Sequence, residues 1–385
     1  MTKRAERMRS IQPFHVMALL ARARELEAQG RSIIHMEIGE PDFVTPQPVI
    51  DAGIRALQDG YTHYTPAVGL QALRERLAEF YQRRYGVAVE PRRIVITPGA
   101  SAALQLVMAV LVNPGDQVLM ADPGYPCNRN FVYLLNGQPL GIPVTAATAY
   151  QPTPQQVHEY WTEAVTALLV ASPSNPTGTL LGENSLREFH AIAAAQGGSL
   201  IVDEIYHGLV YDEQATTALA VSDDIFVVNS FSKYFGMTGW RLGWLIAPDA
   251  YVADIDKLAQ NLFLAAPTIA QHAALKAFDE ESISILESRR REFRQRRDYL
   301  WPALRELGFE LAVIPQGAFY LYASCSRFTD DSYSFASRLL EEAGVAITPG
   351  IDFGTHLPAT HVRFAYTTSL ENLQEGVRRL REFLC

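Results

Sequence analysis

The sequence predicts an α/β fold: a large domain built on a mostly parallel sheet covered by helices, and a smaller α+β domain. Three observations lead there. From about residue 93 to residue 263, short apolar runs alternate with amphipathic stretches, the pattern of a parallel sheet with helical crossovers. One interval in that series, residues 230–239, is too short for a crossover and predicts a single antiparallel strand. Beyond Pro267 the alternation gives way to a long charged helix and a few separate strands.

In chain order, a first helix is expected over residues 16–29, stopped by Gly30, followed by a turn at Glu40-Pro41-Asp42-Phe43. Strand-like runs follow at 94–97, 117–121, 168–171, 200–203, 225–229 and 240–247. Helix-like stretches occupy 101–112, 154–164, 183–196 and 248–263. The long charged helix spans about 283–307, and its Arg289-Arg290-Arg291 run reads as a solvated face. Strands near 309–313 and 318–323, a helix at 332–343, a strand at 362–365 and a last helix from Leu370 complete the chain.

Composition narrows the function. The 385 residues are 48% hydrophobic and 19% charged, globular values that suggest two domains, with three also open. A formal net charge of −9 argues against nucleic acid or an anionic membrane as partner. Cys127, Cys325 and Cys385 are widely separated and have no metal-type spacing, which favours a reducing cytoplasm. Residues 1–10 are charged with no apolar core behind them, so no signal peptide is expected. No run of apolar residues is long enough for a membrane span.

Only four of the 33 basic residues are lysine. Lys3 is on a tail, Lys257 follows Asp254 and Asp256, and Lys276 lies in an Ala-rich helix. Lys233 differs, because it connects two apolar strands. Burial there would lower its pKa and free a neutral amine for Schiff-base chemistry. Ser230, Ser232 and Arg241 flank it and could hold a phosphate, although an Arg capping a strand is an equal reading. The turn Thr97-Pro98-Gly99-Ala100-Ser101 opens a helix, where free amides and the helix dipole favour an anion.

Other candidates stand at strand ends. Asp203 ends an apolar run and would point into a ligand crevice, or cap the next helix. A cationic ring nitrogen would give such a buried carboxylate its partner. Asn175 is presented by the Pro-rich loop 172–178, and Tyr125 by Pro123-Gly124-Tyr125-Pro126, where it could stack on a flat ligand. Arg363, in an alternating strand, could bind a carboxylate bidentately or simply face solvent.

Together the motifs resemble the class I/II family of pyridoxal 5′-phosphate (PLP) aminotransferases, in the aspartate-aminotransferase-like group of fold type I. The resemblance runs from about residue 33 to the C-terminus. It rests on Ser230-Phe231-Ser232-Lys233 with Gly236, Gly239, Arg241 and Gly243, on Asn175-Pro176-Thr177-Gly178, on Asp203-Glu204-Ile205-Tyr206, on Gly317-Ala318-Phe319-Tyr320, and on Arg363. It implies a seven-stranded sheet and a division into 1–45 (arm and part of the small domain), 46–280 (cofactor domain) and 281–385 (small domain). Lys233 would form the Schiff base with PLP and shuttle the substrate proton, and Asp203 would pair with the pyridinium nitrogen. Asn175 and Tyr206 would bind the phenolic oxygen, while Tyr125 would stack on the ring. Ala100, Ser101, Ser230, Ser232 and Arg241 would surround the phosphate. Arg363 would take the substrate carboxylate, helped by Asn175 and the backbone near Gly39. Tyr64 would reach the phosphate of a second subunit, implying a homodimer.

The implied reaction moves an amino group from an amino acid to a 2-oxo acid by ping-pong kinetics. The donor stays open between aspartate, alanine, another neutral amino acid and an aromatic one. Arg22, Arg24 and Arg129 are candidate readers of an acidic side chain, although none matches a motif. A C–S or β-lyase on the same fold shares every cofactor residue. A PLP-binding transcription regulator would need a DNA-binding module, for which the roughly 30 residues before the match are too few. A nicotinamide dehydrogenase would need a Gly-rich fingerprint that is missing.

Overall fold

The computed structural model describes residues 4–384, so Lys3 and Cys385 lie outside the described residues. Its centre is a seven-stranded sheet. In spatial order the strands are Ile94–Thr97, Gly243–Ile246, Phe226–Ser230, Ser199–Asp203, Val165–Ala171, Gln117–Asp122 and Gln138–Pro143. All neighbours run parallel except Gly243–Ile246, which is antiparallel to both of its partners. The short 230–239 interval has the predicted consequence. With no room for a crossover helix, the chain must turn back beside the strand it has just left.

The seventh strand, Gln138–Pro143, has no counterpart among the six apolar runs of the sequence. It carries Pro139 and Gly141 and sits at the sheet edge, where a missing backbone donor costs no ladder bond. Trp240 falls outside the strand predicted over 240–247. It ends a short turn, Thr238–Trp240, and Arg241 then takes a left-handed conformation with φ of 55° before the strand begins at Gly243. The helix expected at 154–164 stops at Tyr160, after a Thr153–Gln156 capping box has set its start. Helices Gln47–Gln58, Gln71–Tyr85 and Pro126–Leu134 are additional.

A smaller antiparallel sheet holds Thr348–Pro349, His361–Ala365 and Tyr320–Ser324 in that order. The strand expected near 309–313 reduces to one bridge between Glu310 and Ser324. A parallel pair joins Ile34–His35 to Val345–Ala346, which ties the N-terminal segment to the C-terminal third. The long helix runs Glu280–Glu306. Its arginine run is less solvated than expected: Arg289 lies over the Phe43 ring and Arg290 pairs with Glu287, both half-buried.

Parallel strands place their carboxyl ends along one edge of the sheet. Val165–Ala171 delivers the Asn175 loop there, Ser199–Asp203 ends on Asp203, and Phe226–Ser230 leads directly to Lys233. The helix His15–Ala28 lies across the opening. Its first two amides, of His15 and Val16, donate to the Asp352 carboxylate at 2.8 Å each. Among the described residues no helix is long and apolar enough to cross a membrane.

Candidate active site

A cleft of about 480 Å³ opens at that sheet edge. It brings together Gly39, Ala100, Ser101, Tyr125, Asn175, Asp203, Tyr206, Lys233 and Arg363, residues from segments far apart in sequence. Ser230, Ser232 and Arg241 adjoin it without bounding it. Tyr64 is not drawn in: it is 82% exposed on the surface.

Lys233 extends its Nζ to the Gly39 carbonyl oxygen at 2.6 Å, and lies 5.9 Å from the Phe319 ring centroid. Burial pulls its amine down to about 8; Arg363 and Arg241 push in the same direction, against Glu40 and Asp203. Gly39 has to be glycine, because a Cβ there would sit 1.8 Å from the Tyr320 hydroxyl.

Asp203 is 5% exposed, and its carboxylate accepts the Ile205 amide at 3.1 Å. Burial pushes it up to about 6, against that hydrogen bond and the charge of Lys233. No cation pairs with it among the described residues. A buried carboxylate so placed lacks a positive partner from the protein and fits a cationic ring nitrogen as its complement. The next residue, Glu204, is fully buried but turned away, held by the Thr217 hydroxyl and the Ala218 amide.

The anion end is built on glycine. Gly99, at φ of +81°, precedes the helix Ala100–Leu111, whose opening amides have no intrahelical acceptors. The Arg241 guanidinium lies against it, 2.6 Å from where a Gly99 Cβ would stand, and donates to the Thr238 carbonyl at 2.9 Å. A Cβ on Gly243 would come within 2.7 Å of the Ala100 nitrogen, so this glycine lets strand and helix start meet. The buried Ser230 hydroxyl accepts the Ser232 amide at 2.9 Å and contacts the Ser232 hydroxyl at the same distance. A helix start, a guanidinium and clustered hydroxyls form a donor set suited to a phosphate.

At the other end Arg363 is buried and aimed. Its Nη1 donates to Asn175 Oδ1 at 2.9 Å; its Nη2 donates to the Glu37 carbonyl at 2.6 Å and to Thr348 Oγ1 at 3.2 Å. Its ring contacts are Tyr320 at 4.2 Å and Phe353 at 4.9 Å. Tyr206 and Tyr320 share a hydrogen bond of 2.9 Å between their hydroxyls. Asn175 spends its oxygen on Arg363, which leaves its amide NH₂ for a ligand acceptor. Tyr125 lines the cleft, with Cys127 Sγ 3.3 Å from its hydroxyl.

Sequence reasoning missed several parts of this arrangement. Glu37 contributes a backbone carbonyl, which no residue type advertises. Thr348 faces Arg363 only through strand register. Phe14, Val16, Met17 and Leu20 form an apolar wall from the N-terminal helix. That helix was legible, but its position over the cleft was not.

Comparison with known proteins agrees with this geometry. The family model "Aminotransferase class I and II" matches residues 31–380. The chain is 38% identical to the (5-formylfuran-3-yl)methyl phosphate transaminase of Methanocaldococcus jannaschii, over 99% of both chains. It is also 38% identical to the valine–pyruvate aminotransferase of Mycobacterium tuberculosis, over 100% of this chain and 99% of that one. The crystal structure of an aminotransferase from Mycobacterium tuberculosis superposes with a TM-score of 0.96 at 38% identity, covering 100% of this chain and 99% of the other. The chain belongs to the class I and II aminotransferase family, and it is accordingly a pyridoxal 5′-phosphate-dependent transaminase.

Proposed function

We propose that transamination in this enzyme runs through Lys233, with Asp203, Asn175 and Arg363 as its principal partners. The observation that carries the proposal is the convergence of one lowered amine, one buried carboxylate without a cation and one aimed guanidinium on a single cleft. Lys233 is the amine that would hold the cofactor covalently, and as a free amine it would carry the proton from the substrate Cα. Asp203, a buried carboxylate without a cation among the described residues, would pair with the ring nitrogen and keep it protonated. When bound, the cofactor supplies an electron sink for the charge left on Cα. Tyr125 would cover the ring, and Asn175 and Tyr206 would bind its phenolic oxygen. Ala100, Ser101, Ser230, Ser232 and Arg241 hold the phosphate.

Arg363 takes the substrate α-carboxylate, with Asn175 and the Gly39 backbone beside it. Orientation follows from that one clamp. A carboxylate fixed bidentately leaves Cα presented to Lys233, and positioning of this kind supplies a large part of a rate enhancement. Amino donor and 2-oxo acid acceptor use the same cleft in turn, which gives ping-pong kinetics.

Three further readings belong with it. Tyr64, exposed on its own subunit, serves the phosphate site of a second subunit in a homodimer. The chain divides at 1–45, 46–280 and 281–385, a division supported by the separate sheets and by the Ile34–His35 pairing with Val345–Ala346. The cytoplasm is its compartment, supported by the free thiols of Cys127 and Cys325. The names of the two relatives point to unlike substrates at equal identity, so they do not select a donor.

Borohydride reduction of the holoenzyme, followed by peptide mass spectrometry, is expected to place the trapped cofactor on Lys233. Lys233→Ala is expected to abolish the adduct and lower turnover on the order of 10³-fold or more. An adduct on Lys257 or Lys276 would overturn the assignment.

A further inference from the structure

We infer that Asp122 is a positioning residue for the substrate pocket, acting on Arg363 and on the N-terminal helix through one loop, residues 352–356. This rests on the placement of Lys233 and Arg363 above, and adds what holds the pocket around them.

Asp122 ends the strand Gln117–Asp122, is 5% exposed and does not line the cleft. Its carboxylate collects three donors from the facing loop. The Thr355 amide stands at 2.9 Å, the Thr355 hydroxyl at 2.7 Å and the His356 amide at 3.3 Å. Hydrogen bonds to an ionised acceptor are stronger than neutral ones. The approach is close, since a Cβ on Gly354 would stand 1.6 Å from Asp122 Oδ1. A second grip comes from the same side: Arg129 Nη2 and the Gly124 amide donate to the Phe353 carbonyl at 2.6 and 2.8 Å. Arg129, a candidate side-chain reader in the sequence, is engaged by the loop instead.

The gripped loop carries two residues of the cleft lining, Asp352 and Phe353. Phe353 is buried, with its ring centroid 4.9 Å from the Arg363 guanidinium. Asp352 accepts the His15 and Val16 amides at 2.8 Å each. These are opening amides of the helix His15–Ala28, which have no intrahelical acceptors. That helix gives Val16, Met17 and Leu20 to the cleft. One short span of backbone therefore joins Asp122 to a ring contact of the carboxylate-binding arginine and to the start of a cleft wall.

The physical need is plain. A loop has no ladder of its own to fix it, whereas a strand end inside a sheet is rigid. Anchoring the loop on Asp122 passes the rigidity of the large sheet to Phe353 and Asp352. Displacing groups that orient a substrate weakens its binding, and here Lys233 and Asp203, carried by other segments, keep their places. The cost of losing the anchor falls on substrate affinity and leaves the cofactor in place.

Two measurements on the holoenzyme test this. In steady-state kinetics with an amino donor that the wild type turns over, Asp122→Asn keeps the shape and removes the charge. It is expected to raise KM about tenfold with kcat within about threefold, and to leave the absorption of bound PLP unchanged. Hydrogen exchange by mass spectrometry reads the far side of the loop without turnover. Peptides covering residues 14–20 are expected to exchange about fivefold faster in Asp122→Asn, although Asp122 makes no hydrogen bond to them. Asp352→Ala should show the same acceleration, and the double variant no more than Asp352→Ala alone, because both act through one contact. If Asp122→Asn does not fold, Thr355→Val removes one of the three donors and should show the same pattern at smaller amplitude. Unchanged KM, unchanged exchange at 14–20 or additive effects in the double variant would each overturn the inference. So would a loss confined to PLP retention, which would assign the effect to Tyr125. A borohydride adduct away from Lys233 would count against the site itself and leave the exchange result standing.

Discussion

Lys233 and Asp203 gain their properties from the same burial, acting in opposite directions on opposite charges. Burial disfavours the ammonium of one and the carboxylate of the other, so the amine falls to about 8 and the acid rises to about 6. The consequence is measurable on protein stripped of cofactor. The neutral amine is the nucleophile, and its fraction grows tenfold per pH unit until the folded pKa is passed. Attachment of PLP to the apoenzyme is therefore expected to accelerate about 50-fold from pH 6 to pH 8, then to level off at roughly twice that rate. Stopped-flow absorbance between pH 6 and pH 10 measures it; a rate still climbing tenfold per unit at pH 10 would mean an unperturbed lysine. These two residues were legible in the sequence because each is an ionisable side chain at a position where packing disfavours one. Arg363 was legible as a candidate only, because its aim is set by the Glu37 carbonyl and by Thr348, neither of which carries a signal of its own.

Elements turn these side chains into a site. The small sheet sets Thr348 opposite Arg363, and the Thr348 hydroxyl both accepts from Arg363 Nη2 and donates to the Glu37 carbonyl at 2.9 Å. It is a positioning group that touches no reacting atom. Thr348→Val keeps the shape and removes the link, at a cost of about 1 kcal/mol. The expected result is a KM for amino donors raised about fivefold, with kcat within twofold, in steady-state assays. A lowered kcat at constant KM would show that Thr348 acts in the chemical step. Elements also explain where sequence reading stopped. Ile94–Thr97 and Ser199–Asp203 are buried strands and read as apolar runs. Gln138–Pro143 is an edge strand with two prolines and a glycine, so its residue types describe a loop while its neighbour's ladder makes it a strand. The 309–313 segment shows the converse: its apolar alternation meets the strand Tyr320–Ser324 only at that strand's last residue and yields one bridge.

At the scale of the whole molecule, the sheet order places residues more than a hundred positions apart on one edge, and this much followed from alternation and one short interval. What alternation cannot express is a contact across a subunit boundary. Tyr64 carries the proposal of a shared site, and hybrid dimers test it. A Tyr64→Ala chain retains Lys233 but offers no phenol to its neighbour; a Lys233→Ala chain offers the phenol but has no amine. Each homodimer is defective, the first in cofactor retention and the second in turnover. If Tyr64 serves the other subunit, unfolding and refolding an equal mixture produces hybrids with one complete site each. Random pairing makes half of the dimers hybrid, so limiting cofactor should restore about a quarter of the wild-type activity. If Tyr64 acted within its own chain, every Lys233-bearing subunit in the mixture would still lack its phenol. Activity would then stay at the level of the Tyr64→Ala homodimer alone, and the shared site would be excluded.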